Sequence, residues 1–203
     1  MKTFFRSKAT IADETEIERI IRRMAVQVVE RDGGTERLML VGIRTRGVPL
    51  AQRLAAAIQA MEGEEIPQGV LDITLYRDDL SAIGPQPVVK ETRLPGPLSG
   101  RVVVLCDDVL FSGRTVRAAL DALLDYGRPE AVRLAVLVDR GHRELPVQAD
   151  VVGKEVPTAA HEHVEVHFQE IDGADRIRIL ERLPESESAT GDESAGRPQK
   201  EER

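Results

Sequence analysis

Val102-Val-Val-Leu-Cys-Asp-Asp-Val-Leu-Phe-Ser-Gly-Arg-Thr115 is the stretch whose reading decides the fold. Arg101 to Cys106 is a short, almost unbroken apolar run, the pattern of a strand buried on both faces. It ends on two adjacent carboxylates, Asp107 and Asp108, then passes through a small-residue loop, Val109, Leu110, Phe111, Ser112, Gly113 and Arg114, into a helix from Thr115 to about Tyr126. A strand that delivers two acids to a sheet edge offers acceptors for two vicinal hydroxyls. The turn that follows aims free backbone N–H groups and the positive end of a helix dipole at one point, a ready phosphate site. Gly113 permits close backbone approach, and the Ser112 and Thr115 hydroxyls add donors. Diol acceptors followed by a phosphate cradle are what a ribose 5-phosphate requires.

The same grammar extends in both directions. Asp13 to Arg31 carries Ile17, Ile20, Ile21, Met24, Ala25 and Val28 at helical spacing, opened by an Asp13/Glu16 capping box and stopped by Gly33-Gly34. Leu38 to Ile43 reads as a buried strand, followed by the polar turn Arg44-Thr45-Arg46-Gly47. A helix then starts near Pro49 and runs to about Met61. Val70 to Leu75 is strand-like. Tyr76 to about Pro97 lacks periodicity and is rich in charge, Pro and Gly, the mark of a functional flap or a disordered segment. Ala131 to Val138 is another apolar strand, ending at Asp139-Arg140-Gly141-His142. Strands alternating with helices predict an α/β domain with a mostly parallel central sheet and helices on both faces. Ligands in such folds bind beyond the carboxyl ends of the strands, where all three polar clusters fall.

Composition bounds the rest. Aromatics are only 3% and Trp is absent, so Leu, Ile, Val and Ala must build the core. No apolar run reaches membrane-spanning length, and Met1 to Ala9 lacks the apolar segment of a signal peptide. The lone Cys106 cannot form an internal disulfide, which fits a cytoplasmic protein. Nothing nearby would activate it as a nucleophile, and a small buried hydrophobe accounts for it. Residues 184–203 hold six acids and three bases, a net −3 that leaves −4 of the chain's −7 to the body and argues against simple nucleic-acid coating. With almost no large apolar residues, that tail is expected to be disordered, which leaves one folded domain over 1–183.

At this point the residues resemble a known family. The Val102–Thr115 segment looks like the phosphoribosyl-pyrophosphate signature of type I phosphoribosyltransferases. Leu38-Met-Leu-Val-Gly-Ile-Arg-Thr-Arg-Gly47, Asp72-Ile-Thr-Leu-Tyr-Arg-Asp-Asp-Leu-Ser81, Gly113-Arg-Thr-Val-Arg-Ala-Ala-Leu-Asp-Ala-Leu123 and Leu134-Ala-Val-Leu-Val-Asp-Arg-Gly-His-Arg-Glu-Leu-Pro146 are similar to the bacterial pyrimidine-operon regulators that double as uracil phosphoribosyltransferases. The resemblance covers about Ala12 to Glu181.

It implies a role for each position. Asp107 and Asp108 bind the ribose hydroxyls, and Val109 to Thr115 the 5′-phosphate. Thr45, Arg46 and Gly47 form a pyrophosphate loop, often with a non-proline cis peptide. Tyr76 to Ser81 begin a flap that brings Arg77 to the pyrophosphate. Arg140 and the backbone at Val164 border the uracil, within a small hood built from about 140–183. Mg2+ is held through substrate and water rather than by protein ligands. The departures are Phe111 for a Tyr-like residue, Ser112 for Thr and Cys106 for an aliphatic one.

The resemblance further implies a homodimer or homotetramer in which UMP or UTP strengthens the grip on leader RNA, with Arg19, Arg22, Arg23, His142, Arg143 and Lys154 as the RNA-facing candidates. The plain alternative for the three helix arginines is pairing with neighbouring acids such as Glu16 and Glu18. Val26 stands where RNA-binding relatives would carry a polar or basic residue. Two other readings stay open: a non-catalytic nucleotide-sensing RNA binder, and a purine phosphoribosyltransferase, because the phosphate loop sees only the sugar.

Overall fold

In the computed structural model, residues 5–78 and 89–182 are described. The expected tail, and the flap from residue 79 through Ser81 to 88, lie outside them. In chain order the elements are β1 (Phe5–Ala12), α1 (Glu14–Asp32), β2 (Leu38–Ile43), α2 (Gly47–Glu62), β3 (Gln68–Leu71), a single 3-10 turn (Thr74–Tyr76), β4 (Val102–Leu110), α3 (Arg114–Leu124), β5 (Ala131–Asp139), β6 (Val151–Glu155), β7 (Glu162–His167), α4 (Gln169–Asp172) and β8 (Arg176–Arg182). Five strands in the order β3-β2-β4-β5-β6 form a wholly parallel sheet. Three form an antiparallel hood in the order β1-β8-β7.

β4 lies at the centre because its side chains are apolar on both faces. Val102, Val104 and Cys106 point toward α1 and α2, while Val103 and Leu105 point toward α3. This is the period-2 alternation of a strand, with both sets needed to fill two core layers. α1 presents Ile17, Ile20, Ile21, Met24, Ala25 and Val28 to the first layer. At about 1.5–3 kcal/mol per large side chain removed from water, that stripe outweighs the helix's intrinsic propensity. The Asp13/Glu16 capping box is present, with Glu16 N donating to Asp13 Oδ1 at 2.9 Å and Asp13 N to Glu16 Oε2 at 3.1 Å.

Three features differ from the sequence reading. β4 does not stop at Asp107-Asp108 but continues to Leu110, because β5 still pairs with it there: Asp107 opposes Val136, Val109 opposes Val138 and Leu110 opposes Asp139. The strand-like 70–75 run holds only the end of β3. The Asp72 carboxylate accepts from Thr74 N at 3.0 Å and Thr74 Oγ1 at 2.6 Å, turning the chain out of the ladder. The hood is not confined to 140–183 either: β1 supplies one of its edge strands, and β6 belongs to the main sheet beside β5.

Candidate active site

The extension of β4 places the two acids inside the fold. Asp107 is only 7% exposed and Asp108 is half-buried. Asp108 N donates to Asp107 Oδ1 at 3.0 Å. Burial, then the neighbouring Asp108 charge, holds the Asp107 carboxyl well above the usual carboxylate range, with the Arg77 charge pulling partly the other way. Burial also raises Asp108, partly offset by its contact with Asp107 and by the charge of Arg46. Two adjacent, desolvated carboxyls are poised to accept hydrogen bonds from hydroxyls or to face cationic charge.

Beyond them, Phe111 to Gly113 turn the chain into α3. Gly113 has φ 91°, and a Cβ there would press on Leu145 and Val147 at 3.3 Å, so glycine answers two demands at once. The first intrahelical bond is Arg117 N to Gly113 O; in the turn before it Arg114 N donates to Ser112 Oγ at 3.4 Å, while the N–H groups of Thr115 and Val116 have no intrahelical acceptor. A cavity of about 230 Å³ lies against them, lined by Arg77, Asp78, residues 109–115 and Val116. Ser112 and Thr115 are half-buried in that lining. Arg114 is drawn aside to Asp78 and Glu144, each at 2.7 Å.

The loop after β2 approaches from the other side. The Arg44–Thr45 peptide is cis. Gly47 opens α2 with its Cα so near β4 that a Cβ would sit 2.1 Å from the Cys106 carbonyl oxygen. Thr45 is exposed between them. Arg46 forms a two-pronged pair with Asp172, Nε to Oδ2 at 3.1 Å and Nη2 to Oδ1 at 2.7 Å. That bond from Arg46 pulls Asp172 down to about 2, against its partial burial. Arg77 follows the 3-10 turn, lines the cavity at α3, and its charge reaches Asp107.

The third cluster closes the site toward the hood. Arg140 is 4% exposed, donating from Nη2 to Glu162 O at 2.7 Å and from Nε to Thr158 Oγ1 at 3.2 Å. Its guanidinium lies 4.2 Å from the Phe111 ring centroid, a cation–π contact, and burial lowers its pKa. Phe111 leaves 38% of its surface open and meets His142 edge-on. Val164, paired with Ile179, turns its side chain into the core, so only its backbone is available to a base.

The six basic candidates do not form one free patch. Arg143 is spent on Phe111 O at 2.9 Å, Val147 O at 3.0 Å, Gly141 O at 3.2 Å and the Asp139 carboxylate. Arg23 donates to Gly153 O, Lys154 to Ile11 O at 3.3 Å, and Arg22 stands 3.8 Å from Glu18. His142 Nε2 lies 2.7 Å from Thr158 O, and Arg19 is exposed. Two functional candidates carried no sequence signal. Asp172 lies 126 positions from Arg46, and Asp72 gave no sign that its carboxylate joins both ends of the flap, accepting from Thr74 and from Lys90 N.

Comparison with known proteins fits this geometry. The family model described as phosphoribosyl transferase domain matches residues 7–171. "Bifunctional protein PyrR" of Pelotomaculum thermopropionicum is 58% identical over 176 residues, covering 87% of this chain and 97% of the relative. The protein of the same name from Thermus thermophilus is 58% identical over 177 residues, 87% of this chain and 98% of the relative. Among solved structures, the hypoxanthine phosphoribosyltransferase of Trypanosoma cruzi superposes with a TM-score of 0.66 at 16% identity, covering 87% of this chain and 98% of that one. At that identity the likeness establishes the fold alone. With the paired acids, the cavity at α3 and the hood on one architecture, the chain belongs to the phosphoribosyl transferase domain family and, within it, to the group of the bifunctional PyrR proteins.

Proposed function

We propose that this chain transfers the ribosyl phosphate of phosphoribosyl pyrophosphate to uracil, and that a uridine nucleotide in the same pocket governs its binding to pyrimidine-operon leader RNA. The observation that carries the transferase reading is the pair of buried carboxyls, Asp107 and Asp108, set directly ahead of the α3 phosphate cavity.

In the reaction the C1′–N1 bond to uracil forms as the C1′–oxygen bond to pyrophosphate breaks, and the N1 proton leaves to pyrophosphate or water. Asp107 and Asp108 hold the ribose by its 2′ and 3′ hydroxyls. The backbone of 109–115 and the first turn of α3 hold the 5′-phosphate. Fixing both ends of the sugar supplies the alignment that makes the displacement effectively unimolecular. Arg46, with Thr45 and Gly47, and Arg77 place positive charge where the leaving group gains negative charge. Arg140 and the Val164 backbone frame the base against the hood.

The donor set fits Mg2+ held through substrate oxygens and water. The adjacent carboxyls of Asp107 and Asp108 offer hard oxygens, the donor type Mg2+ prefers, and would meet it through the ribose hydroxyls and water. When bound, Mg2+ would neutralise the leaving pyrophosphate.

The regulatory half is supported by the likeness to proteins described as bifunctional and by the exposed positions of Arg19, Arg22 and His142. A homodimer or homotetramer would array those groups on a shared face, since RNA affinity rests on phosphate neutralisation. The direct test is UMP formation from uracil, phosphoribosyl pyrophosphate and Mg2+, with hypoxanthine as the competing substrate. Turnover of hypoxanthine in place of uracil would move the chain to the purine enzymes. For the regulatory half, a gel shift on leader RNA with and without UMP should show tighter binding with the nucleotide. Equal binding in both lanes would remove it.

A further inference from the structure

The contact between Arg46 and Asp172 joins two parts of the molecule that the reaction uses separately. Arg46 belongs to the loop between β2 and α2, and Asp172 to the short α4 turn that follows the hood strand β7. Asp172 is itself fixed: its Oδ2 also accepts from Phe168 N at 3.0 Å, and its side chain is only 13% exposed. The turn is stapled to α2 a second time. Arg53 pairs with Glu170 at 2.8 and 2.7 Å and with Asp175 at 2.7 and 2.8 Å, and its guanidinium lies 5.0 Å from the Phe168 ring centroid. Residues 168–175 are therefore a rigid seat rather than a loose loop.

The geometry of the pair specifies what the seat does. Asp172 takes the Nε edge of the guanidinium and one Nη2 donor, while Nη1 makes no hydrogen bond among the described residues. A guanidinium is planar, so fixing one edge fixes the direction of the other. The charge of Arg46 acts on Asp108, which puts the cation beside the ribose acids. We propose that Asp172 is a positioning residue that holds Arg46 with its free edge presented to the pyrophosphate of the substrate, and so ties the strand bordering the base to the cation serving the leaving group. This rests on the proposed role of Arg46 and names a residue and a coupling beyond it.

The test is a double-mutant cycle on the full chain: wild type, Asp172→Asn, Arg46→Ala and the double variant. KM for phosphoribosyl pyrophosphate, KM for uracil, kcat and Tm are measured for each. Asn keeps the volume and one acceptor oxygen but sets an NH2 against the guanidinium. The expected result is a loss of kcat/KM for phosphoribosyl pyrophosphate on the order of 10–100-fold in Asp172→Asn, as a misplaced positioning group produces. KM for uracil should hold within about twofold, and Asp172→Asn should add less than about twofold on the Arg46→Ala background.

Four results overturn the proposal. If the two losses multiply in the double variant, Asp172 acts apart from Arg46. If Asp172→Asn tightens phosphoribosyl pyrophosphate, the pair is a competitor that parks the arginine. If Arg46→Ala alone leaves phosphoribosyl pyrophosphate kinetics intact, the premise about Arg46 has failed, and the inference falls with it. If Asp172→Asn fails to fold, Asp172→Glu takes its place. It should keep more than half of the wild-type kcat/KM for phosphoribosyl pyrophosphate, and loss of Tm without any change in kcat/KM in Asp172→Asn would mark a purely structural staple and refute the positioning role.

Discussion

Replacing Gly47 with alanine is the sharpest perturbation available, because the structure fixes its size. The added Cβ would lie 2.1 Å from the Cys106 carbonyl oxygen, where about 3.0 Å is the closest approach such atoms make, so something must move by about 1 Å. Cys106 cannot yield: it sits in the central strand, opposite Gly42 of β2 on one side and Ala135 of β5 on the other. The start of α2 cannot tip toward β2 either, since Val48 Cα already lies where a Cβ on Gly42 would meet it at 2.5 Å. The displacement therefore falls on the 44–47 loop and carries Thr45 and Arg46 with it. Overpacking of this kind costs about 1–3 kcal/mol. In a chain of this length that lowers Tm by about 2–12 °C. A displacement of about 1 Å at a positioning group costs on the order of 100-fold in rate. Gly63→Ala is the control: unlike Gly47 it sits at positive φ (77°), and its Cβ would meet nothing within 4 Å. It should lose about 1 kcal/mol of stability with normal kinetics. The assay is steady-state kinetics in phosphoribosyl pyrophosphate with a thermal melt of each variant. Gly47→Ala with kinetics within twofold of wild type would refute the claim that this loop is built by close backbone approach.

Other expectations follow from the same geometry. Because burial raises Asp107, its ionisation opposes folding: the contribution is fully present below the unfolded value of about 3.9 and lost as pH rises through the raised folded value. Asp107→Asn should therefore melt higher than wild type at pH 7, with the gap closing near pH 4, while UMP formation is lost; equal melting at both pH values would contradict the assignment. Arg140→Lys replaces a stacked, two-donor plane by a point charge. It should raise KM for uracil by about tenfold and leave KM for phosphoribosyl pyrophosphate nearly unchanged, as read from initial rates. Asp72→Asn should weaken the clasp between Thr74 and Lys90, seen as faster hydrogen exchange at those two amides with α1 amides unchanged.

Much of this molecule is written in local pattern. The 3.6 spacing from Ile17 to Val28, the capping box at Asp13 and the apolar runs of β2, β4 and β5 each carry their own signal. The two acids followed by Gly113 and a helix start mark the strand–loop–helix turn that lines the cavity at α3 without any tertiary information. The hood is different. β1 reads FRSKATIA, largely exposed along its length, and acquires its partner only from β8, so that Phe5 lies opposite Arg182. A pairing across nearly the whole chain leaves no mark in a short window. β6, five residues ending Gly-Lys-Glu, is equally silent about which sheet it joins. The Arg46–Asp172 pair depends on both the hood and the 44–47 loop being in place, and is legible only in three dimensions. The partners of the basic residues were not legible either: Arg143 donates to three backbone carbonyls and Arg23 to one.

The most direct measurement is the formation of UMP from labelled uracil, phosphoribosyl pyrophosphate and Mg2+ by the purified full chain, beside Asp108→Asn. The account predicts steady UMP production by the wild type and its loss in the variant, with both proteins folded by circular dichroism. Folded wild-type protein that makes no UMP, or an Asp108→Asn variant that makes as much as wild type, would contradict it.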